Sequence, residues 1–356
     1  MTFEITDWYC GAGGFSSVAT AHKVIGGADS ALDALACFQK AHPAAKAAAR
    51  TLPASLGDCG FPPAGPRSYW HFSPPCTAFS SARRGCRDLD DGVRQLAWSI
   101  EMAVRYGLWF SIENVATDLP VAIAERYKAL HPKDVDFAIV CASMFGVPQR
   151  RTRLIIARPS VIKRLRDCIV KPNLVTMKEA FATRGLAMPG SDIKGATTNA
   201  SGNPCMRKLN DQSIVCVASR PPHFLRSSGK WTAATADEIK VLMDLPAAMP
   251  VPSDKRGQAR VLGNAIPGGL SKAILAAAQE AAEVERPFVG APDDAPTFKD
   301  AVAGADACVA WVKMRERAKH VAEKEIGRQA GLSAAGVKRL REEVVTNVIH
   351  RMCEED

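Results

Sequence analysis

The chain has 356 residues, 47% of them hydrophobic and 23% charged, enough to bury the core of one large α/β domain plus a smaller one. Its net charge of +9 suits a polyanionic partner such as nucleic acid. No uninterrupted apolar run approaches the roughly 20 residues of a membrane helix. The start of the chain lacks the regions of a signal peptide, and the eleven cysteines form neither a CxxC pair nor a zinc-spaced cluster. The expectation is therefore a reduced, cytoplasmic protein without disulfides, metal or membrane partner.

Residues Phe3 to Tyr9 predict a first strand running into Cys10-Gly11-Ala12-Gly13-Gly14-Phe15. Glycines there let the backbone turn tightly and approach a ligand, while the following helix offers its N-terminal amides. A second strand, Lys23 to Ala28, ends at Asp29, where a carboxylate is placed to accept hydrogen bonds from ribose hydroxyls; Asp33 competes for that role. Leu56 to Cys59 reads as a third strand end carrying Asp58. The aromatic strand Tyr69 to Phe72 then runs into Ser73-Pro74-Pro75-Cys76. Each proline fixes φ and removes a donor, so Cys76 sits on a stiffened turn at the sheet edge where open α/β folds bind ligands. Three successive units each deliver a candidate adenosine contact, and the next delivers a nucleophile.

A polar loop, Ser80 to Asp91, carries Arg83 and Arg84 and leads into a helix from Gly92 to Tyr106, with Val93, Leu96, Ala97 and Ile100 on its core face. The strand Trp109 to Ile112 ends at Glu113, a carboxylate poised for a raised pKa and proton transfer. Phe137 to Cys141 is another strand. Gln149-Arg150-Arg151-Thr152-Arg153 leads into the strand Leu154 to Ala157, and alternation puts Arg151 and Arg153 on one face, suited to phosphate or base-carbonyl recognition.

From Ser160 to Gly229 the chain turns loop-rich, with Ala196 to Gly202 read as loop, Ser213 to Ser219 as a candidate strand, and basic residues including Arg207, Arg220 and Arg226. A helix is predicted over Thr235 to Leu245, and Gly263-Asn264-Ala265-Ile266-Pro267 introduces another, Leu270 to Ala282. A linker with Pro287, Gly290, Pro292 and Pro296 precedes a helical tail. Within it, Glu325 to Leu340 has helix-turn-helix grammar, and a plain helical hairpin fits equally.

Assembled in this order, the motifs resemble those of the C5-cytosine methyltransferases over roughly residues 1–280. Asp7 to Ser16 is similar to the family's first cofactor motif, with Tyr9 where an adenine-stacking aromatic is usual. Pro75-Cys76 is similar to the nucleophile motif, Glu113-Asn114-Val115 to the ENV motif, Gln149 to Arg153 to the Q-x-R-x-R motif, and Gly263 to Pro267 to the GNxxP motif. The resemblance implies a Rossmann-like S-adenosylmethionine-dependent α/β sheet with a small loop-rich target-recognition domain and a helical C-terminal extension. The expected boundaries are 1–159 for the catalytic and cofactor-binding domain, 160–229 for target recognition, 230–285 for the return to the catalytic domain, and 286–356 for the linker and extension.

It further implies that Cys76 attacks C6 of a cytosine flipped out of duplex DNA, that Glu113 holds a proton shared with N3 and the exocyclic amine, and that Arg153 binds O2 with Arg151 in support. S-adenosylmethionine is held by Tyr9, Gly11, Gly13, Gly14, Asp29, Asp58, Pro75 and Asn264. DNA is held by Ser80, Arg83, Arg84, Arg220 and Arg226. The implied enzyme is a monomer with double-stranded DNA as partner and a cognate restriction enzyme as a candidate one; phage self-protection and an orphan enzyme are the other settings. The sequence departs from the family where Ser73-Pro74 replaces a glycine-aromatic pair and Thr77 a frequent glutamine, and Asp29 stands for a common glutamate. A tRNA cytosine methyltransferase of the same fold and a DNA-binding regulator with a vestigial catalytic domain are the rival readings.

Overall fold

The computed structural model describes residues 1–79, 88–169, 174–198, 204–216, 218, 221–285 and 294–328. The first half of the chain alternates strand and helix: β1 (Glu4–Trp8), β2 (Lys23–Asp29), α1 (Leu32–Ala41), β3 (Lys46–Ala49), α2 (Leu56–Cys59), β4 (Ser68–Phe72), α3 (Leu89–Arg105), β5 (Trp109–Asn114), α4 (Asp118–Leu130), β6 (Asp136–Cys141), β7 (Thr152–Ala157) and α5 (Pro159–Ile169). Then come α6 (Met177–Thr183), the short strands β8 (Asp192–Thr198), β9 (Pro204–Lys208), β10 (His223–Leu225) and β11 (Trp231–Ala233), and the helices α7 (Ala236–Leu242), α8 (Lys255–Asn264), α9 (Gly268–Val284) and α10 (Asp294–Arg328).

Among the described residues, seven strands form one sheet in the order β3-β2-β1-β4-β5-β7-β6, with β7 antiparallel to both its neighbours and the other pairs parallel. This is a doubly wound, Rossmann-like sheet. Its two faces follow from strand alternation. Trp8, Phe72, Ile112 and Ile156 align across four strands and pack under Val93, Leu96 and Ala97 of α3. Ile5, Tyr69 and Trp109 align on the opposite face, in one cluster with Leu270 and Ile274 of α9 and Val161 and Leu165 of α5. Helix α5, which begins at Pro159, packs on this face of the large sheet. The segment Lys255–Val284 is apolar and long enough to span a bilayer, but 72% of its most apolar window is buried inside the protein, as core helices are.

The four short strands make a separate antiparallel sheet, β11-β10-β8-β9, whose core of Ile193, Phe224 and Ile214 joins Phe181 of α6 and Leu242 of α7. Strand β8 covers residues expected as loop up to Thr198, and 199–203 lie outside the described residues. Ser213 makes an isolated parallel bridge with Gln149 rather than opening the expected strand, whose end also lies outside them.

One expectation needs correction. The third strand is Lys46–Ala49, and Leu56–Cys59 is a helical turn. Ser55 caps it by accepting from the Asp58 amide while the Asp58 carboxylate accepts from the Ser55 amide, a reciprocal capping box that outweighs any extended preference. The helical extension is present and packs on the large domain over its first half. Ala301, Ala305, Cys308, Val309 and Val312 of α10 are buried in the core cluster that contains α3. Ion pairs Arg105–Asp300 (3.7 Å), Arg94–Asp306 (2.8 Å) and Lys313–Asp90 (2.6 Å) show that α10 runs antiparallel to α3. It continues unbroken through Glu325–Arg328; the remainder of the expected helix-turn-helix, 329–340, lies outside the described residues.

Candidate active site

The C-terminal ends of β4 and β5 and the start of β7 converge on one point. Strand β4 leads into Ser73-Pro74-Pro75-Cys76, whose first amide donates to the Trp8 carbonyl (3.2 Å). Neither proline has an amide to donate, so the turn needs other anchors. The Asn114 side-chain amide, at the end of β5, donates to the Pro74 carbonyl (3.1 Å), while its Oδ1 accepts from the Val115 amide (2.8 Å). The turn closes with the Phe79 amide on the Cys76 carbonyl (3.0 Å). Cys76 is half-buried and free.

Glu113 is 8% exposed, and the Arg153 Nε lies 2.5 Å from its Oε1. The Cys76 thiol is pushed above its ordinary range, by burial first and then by the Glu113 carboxylate, with Arg153 and Arg151 pulling the other way. Arg151 is buried. It donates to the carbonyls of Cys216 (3.0 Å), Gly263 (2.9 Å) and Ala265 (3.2 Å), joining β7 to the small domain and to the end of α8. Burial brings its guanidinium down to about 9. Gln149 is fully buried beside it and donates Nε2 to the Cys216 sulfur (3.0 Å).

The glycine loop lies at the end of β1. Tyr9 adopts φ of 59°, rare for a bulky residue, and its ring stands edge-on to Trp98 at 6.3 Å between centroids. A Cβ on Gly11 (φ +53°) would meet nothing within 4 Å, so the loop borders open space there. On Gly14 it would fall 2.9 Å from the Ala265 Cβ, so Gly14 is needed for the GNxxP segment to pack on the loop. Gly13 is similarly crowded by Ser16 and Phe38. The Asp29 carboxylate accepts from the Gly11 amide (2.8 Å) and the Ala31 amide (2.8 Å), holding the loop against β2. Asp33 is engaged with Arg260 on the surface. Asp58, Pro75 and Asn264 are exposed. Open space beside Gly11, an aromatic and a carboxylate with lone pairs to spare fit the adenosine part of S-adenosylmethionine.

Of the expected nucleic-acid contacts, Ser80, Arg83, Arg84 and Arg220 lie outside the described residues. Arg226 differs from expectation. Its guanidinium forks onto Glu238 (Nη1–Oε1 2.5 Å, Nη2–Oε2 3.0 Å) and bonds Thr232 and the Pro189 carbonyl, tying the small sheet to α7. An arginine in a loop-rich basic segment gives no sequence signal of such a partner. Sequence reading also gave no role to Asn114 beyond its motif, nor to His71, Ser73 or Gln149. Among the described residues no cluster of three or more His, Cys, Asp or Glu could hold a metal ion.

Residues 3–160, which contain the glycine loop, the proline-cysteine turn, Glu113 and both arginines, match the family model of C-5 cytosine-specific DNA methylases. Over these residues the chain is similar to that family's domain. No curated protein matches the chain in sequence. Among solved structures it is similar to a putative DNA modification methyltransferase encoded within an E. coli prophage, with 17% identity and a TM-score of 0.55 over 80% of this chain and 100% of that one. The S. pombe Dnmt2 methyltransferase is similar at 14% identity and a TM-score of 0.53, over 79% and 99% of the two chains. So is the Entamoeba histolytica methyltransferase EhMeth, at 13% and 0.50, over 79% and 99%. These likenesses show a shared fold.

Proposed function

We infer that the protein methylates C5 of cytosine in duplex DNA, through a covalent bond between Cys76 and C6 of a base flipped out of the helix. The observation that carries this reading is the convergence of Cys76, Glu113 and Arg153 at one edge of the sheet, beside a glycine loop suited to an adenosine.

Cytosine C5 is a weak nucleophile because the ring is aromatic, and it is unreachable within a duplex. The Cys76 sulfur, as thiolate, bonds to C6, and the C5–C6 π pair moves onto C5, making an enamine. Glu113 shares a proton with N3 as charge develops on the ring. Arg153 holds O2 and, through its ion pair, fixes the carboxyl. Arg151 lies too deep, and is too fully bonded to carbonyls, for base contact; it locks the wall of the site. Tyr9, Gly11 and Asp29 hold S-adenosylmethionine, which when bound supplies a methyl group on a cationic sulfur to the nucleophilic C5. A base then takes the C5 proton, the C–H pair re-forms the C5–C6 double bond, and the C6–S bond breaks to return the Cys76 thiolate. The net charge of +9 suits the phosphate backbone.

The test is transfer of labelled methyl from S-adenosylmethionine to a mixed duplex DNA pool and to tRNA, with Cys76→Ser as control. Label at C5 in DNA, absent with Cys76→Ser, supports the reading. Label only in RNA replaces the substrate class, and label in neither contradicts it.

A further inference from the structure

Beneath the nucleophile turn lies a buried chain of polar side chains that none of the roles above uses. On one face of β4, Tyr69 and His71 are both 0% exposed. The Tyr69 hydroxyl donates to Ser111 Oγ on β5 (2.7 Å), His71 Nδ1 meets the same oxygen (2.8 Å), and His71 Nε2 meets Ser73 Oγ (2.8 Å). The imidazole is stacked on Phe15 of the glycine loop, 3.7 Å between centroids with planes 5° apart. Two strands and two loops therefore meet at one ring.

The position of each partner gives the chain its use. Ser73 is the residue at which β4 becomes the Pro74-Pro75-Cys76 turn. Ser111 lies two residues before Glu113, hence on the same face of β5. Phe15 follows the glycines of the adenosine loop. Both ring nitrogens are bonded, the ring face is covered, and burial holds the imidazole neutral, so it has one rotamer open to it and no charge to gain near neutrality. A hydroxyl at position 73 is what lets the ring hold the turn; a glycine there offers nothing to Nε2.

We propose that His71, acting through Ser73, is a positioning residue of the methyl-transfer site: it fixes the root of the Cys76 turn relative to Glu113 and the adenosine loop. This rests on the function inferred above. His71 touches neither base nor adenosine in this role. Its effect reaches Cys76 through three residues of a turn whose prolines allow little internal motion.

Three variants test it: Ser73→Ala removes the hydroxyl, Ser73→Thr keeps it, and His71→Phe keeps the stack on Phe15 while removing both nitrogens. Two readouts are needed. The first is kcat and KM for methyl transfer. The second is the rate of Cys76 alkylation by iodoacetamide in the protein alone, followed by peptide mass spectrometry. Ser73→Ala and His71→Phe are expected to lower kcat about tenfold, with KM for S-adenosylmethionine within about twofold, because misplacement of a reacting atom acts on the chemical step. Both should change the alkylation rate roughly threefold or more, and Ser73→Thr should restore both readouts. Wild-type kcat and alkylation in Ser73→Ala would overturn the proposal. If the unmodified protein methylates no nucleic acid, the proposed function fails, and the alkylation rates still decide whether His71 holds the turn.

Discussion

Glu113 and Arg153 face each other at 2.5 Å, from the end of one strand and the start of its antiparallel neighbour. That pair sets the electrostatic environment of Cys76. The carboxylate raises the thiol and the guanidinium lowers it, on top of a larger effect of burial.

Glu113→Gln separates the two. Removing the carboxylate's charge leaves Arg153 unopposed and brings the Cys76 pKa down. At a fixed pH near 7.5, alkylation of Cys76 by iodoacetamide should be faster than in the unmodified protein. Methyl transfer should fall by about a hundredfold or more, the usual loss when an acid–base group is removed. Slower alkylation would mean that Glu113 does not act on the thiol by charge.

A second prediction concerns Asp7 and His71, which are aligned neighbours on β1 and β4 and have opposite proton linkage. Burial raises the Asp7 carboxyl from 3.8 to about 7, with the Ser16 hydroxyl and amide pulling it back. The folded protein keeps a proton there that the unfolded chain releases, so stability is complete below pH 4 and falls as pH rises towards 7. His71 is lowered from 6.5 to about 3 by burial. Its contribution is complete above pH 6.5 and falls as pH drops towards 3, because only the unfolded chain takes up a proton. Between pH 4 and 6.5 the two slopes oppose. Asp7→Asn should match the unmodified protein near pH 4 and gain on it by up to about 4 kcal/mol at pH 8. Urea unfolding at the two pH values checks this; an equal difference at both contradicts it.

The junction of α10 with α3 gives a third. A Cβ on Gly304 would lie 2.4 Å from the Glu101 carboxylate, which is buried and held by Arg105 Nε at 2.9 Å. Gly304→Val should lower stability by about 1–3 kcal/mol, the usual penalty of overpacking. Removing residues 298–356 should expose the α3 face that Ala301, Ala305 and Cys308 cover, lowering the melting temperature and soluble yield. A truncated protein as stable as the full chain would contradict this placement.

The order of motifs along the chain made the sheet edge, the nucleophile turn and the glycine loop legible, because each lies where a strand ends and local patterns mark strand ends. Asp58 was misplaced on a strand although Ser55-Leu56-Gly57-Asp58 carries the S-x-x-D pattern of a capping box. The spacing of Ala301, Ala305, Cys308, Val309 and Val312 marks a helical stripe. What covers it was not visible, because α3 is apolar on the face toward the sheet and buried on much of the other. The His71 chain depends on strand register: Asp7, His71 and Ser111 become neighbours only once β1, β4 and β5 are aligned. Arg226 and Arg151 read as ligand-seeking cations because a sequence does not show the carbonyls and carboxylate that occupy them.

The central claim is the covalent bond between Cys76 and a cytosine, and the most direct measurement is to trap it. Duplex DNA carrying 5-fluorocytosine has no C5 proton for the final elimination, so the adduct persists once the methyl group is transferred. With S-adenosylmethionine present, digestion and mass spectrometry should find the nucleotide attached to the peptide containing Cys76, and none in Cys76→Ser. An adduct on another residue, or none on a duplex that the protein demonstrably methylates, would contradict the mechanism.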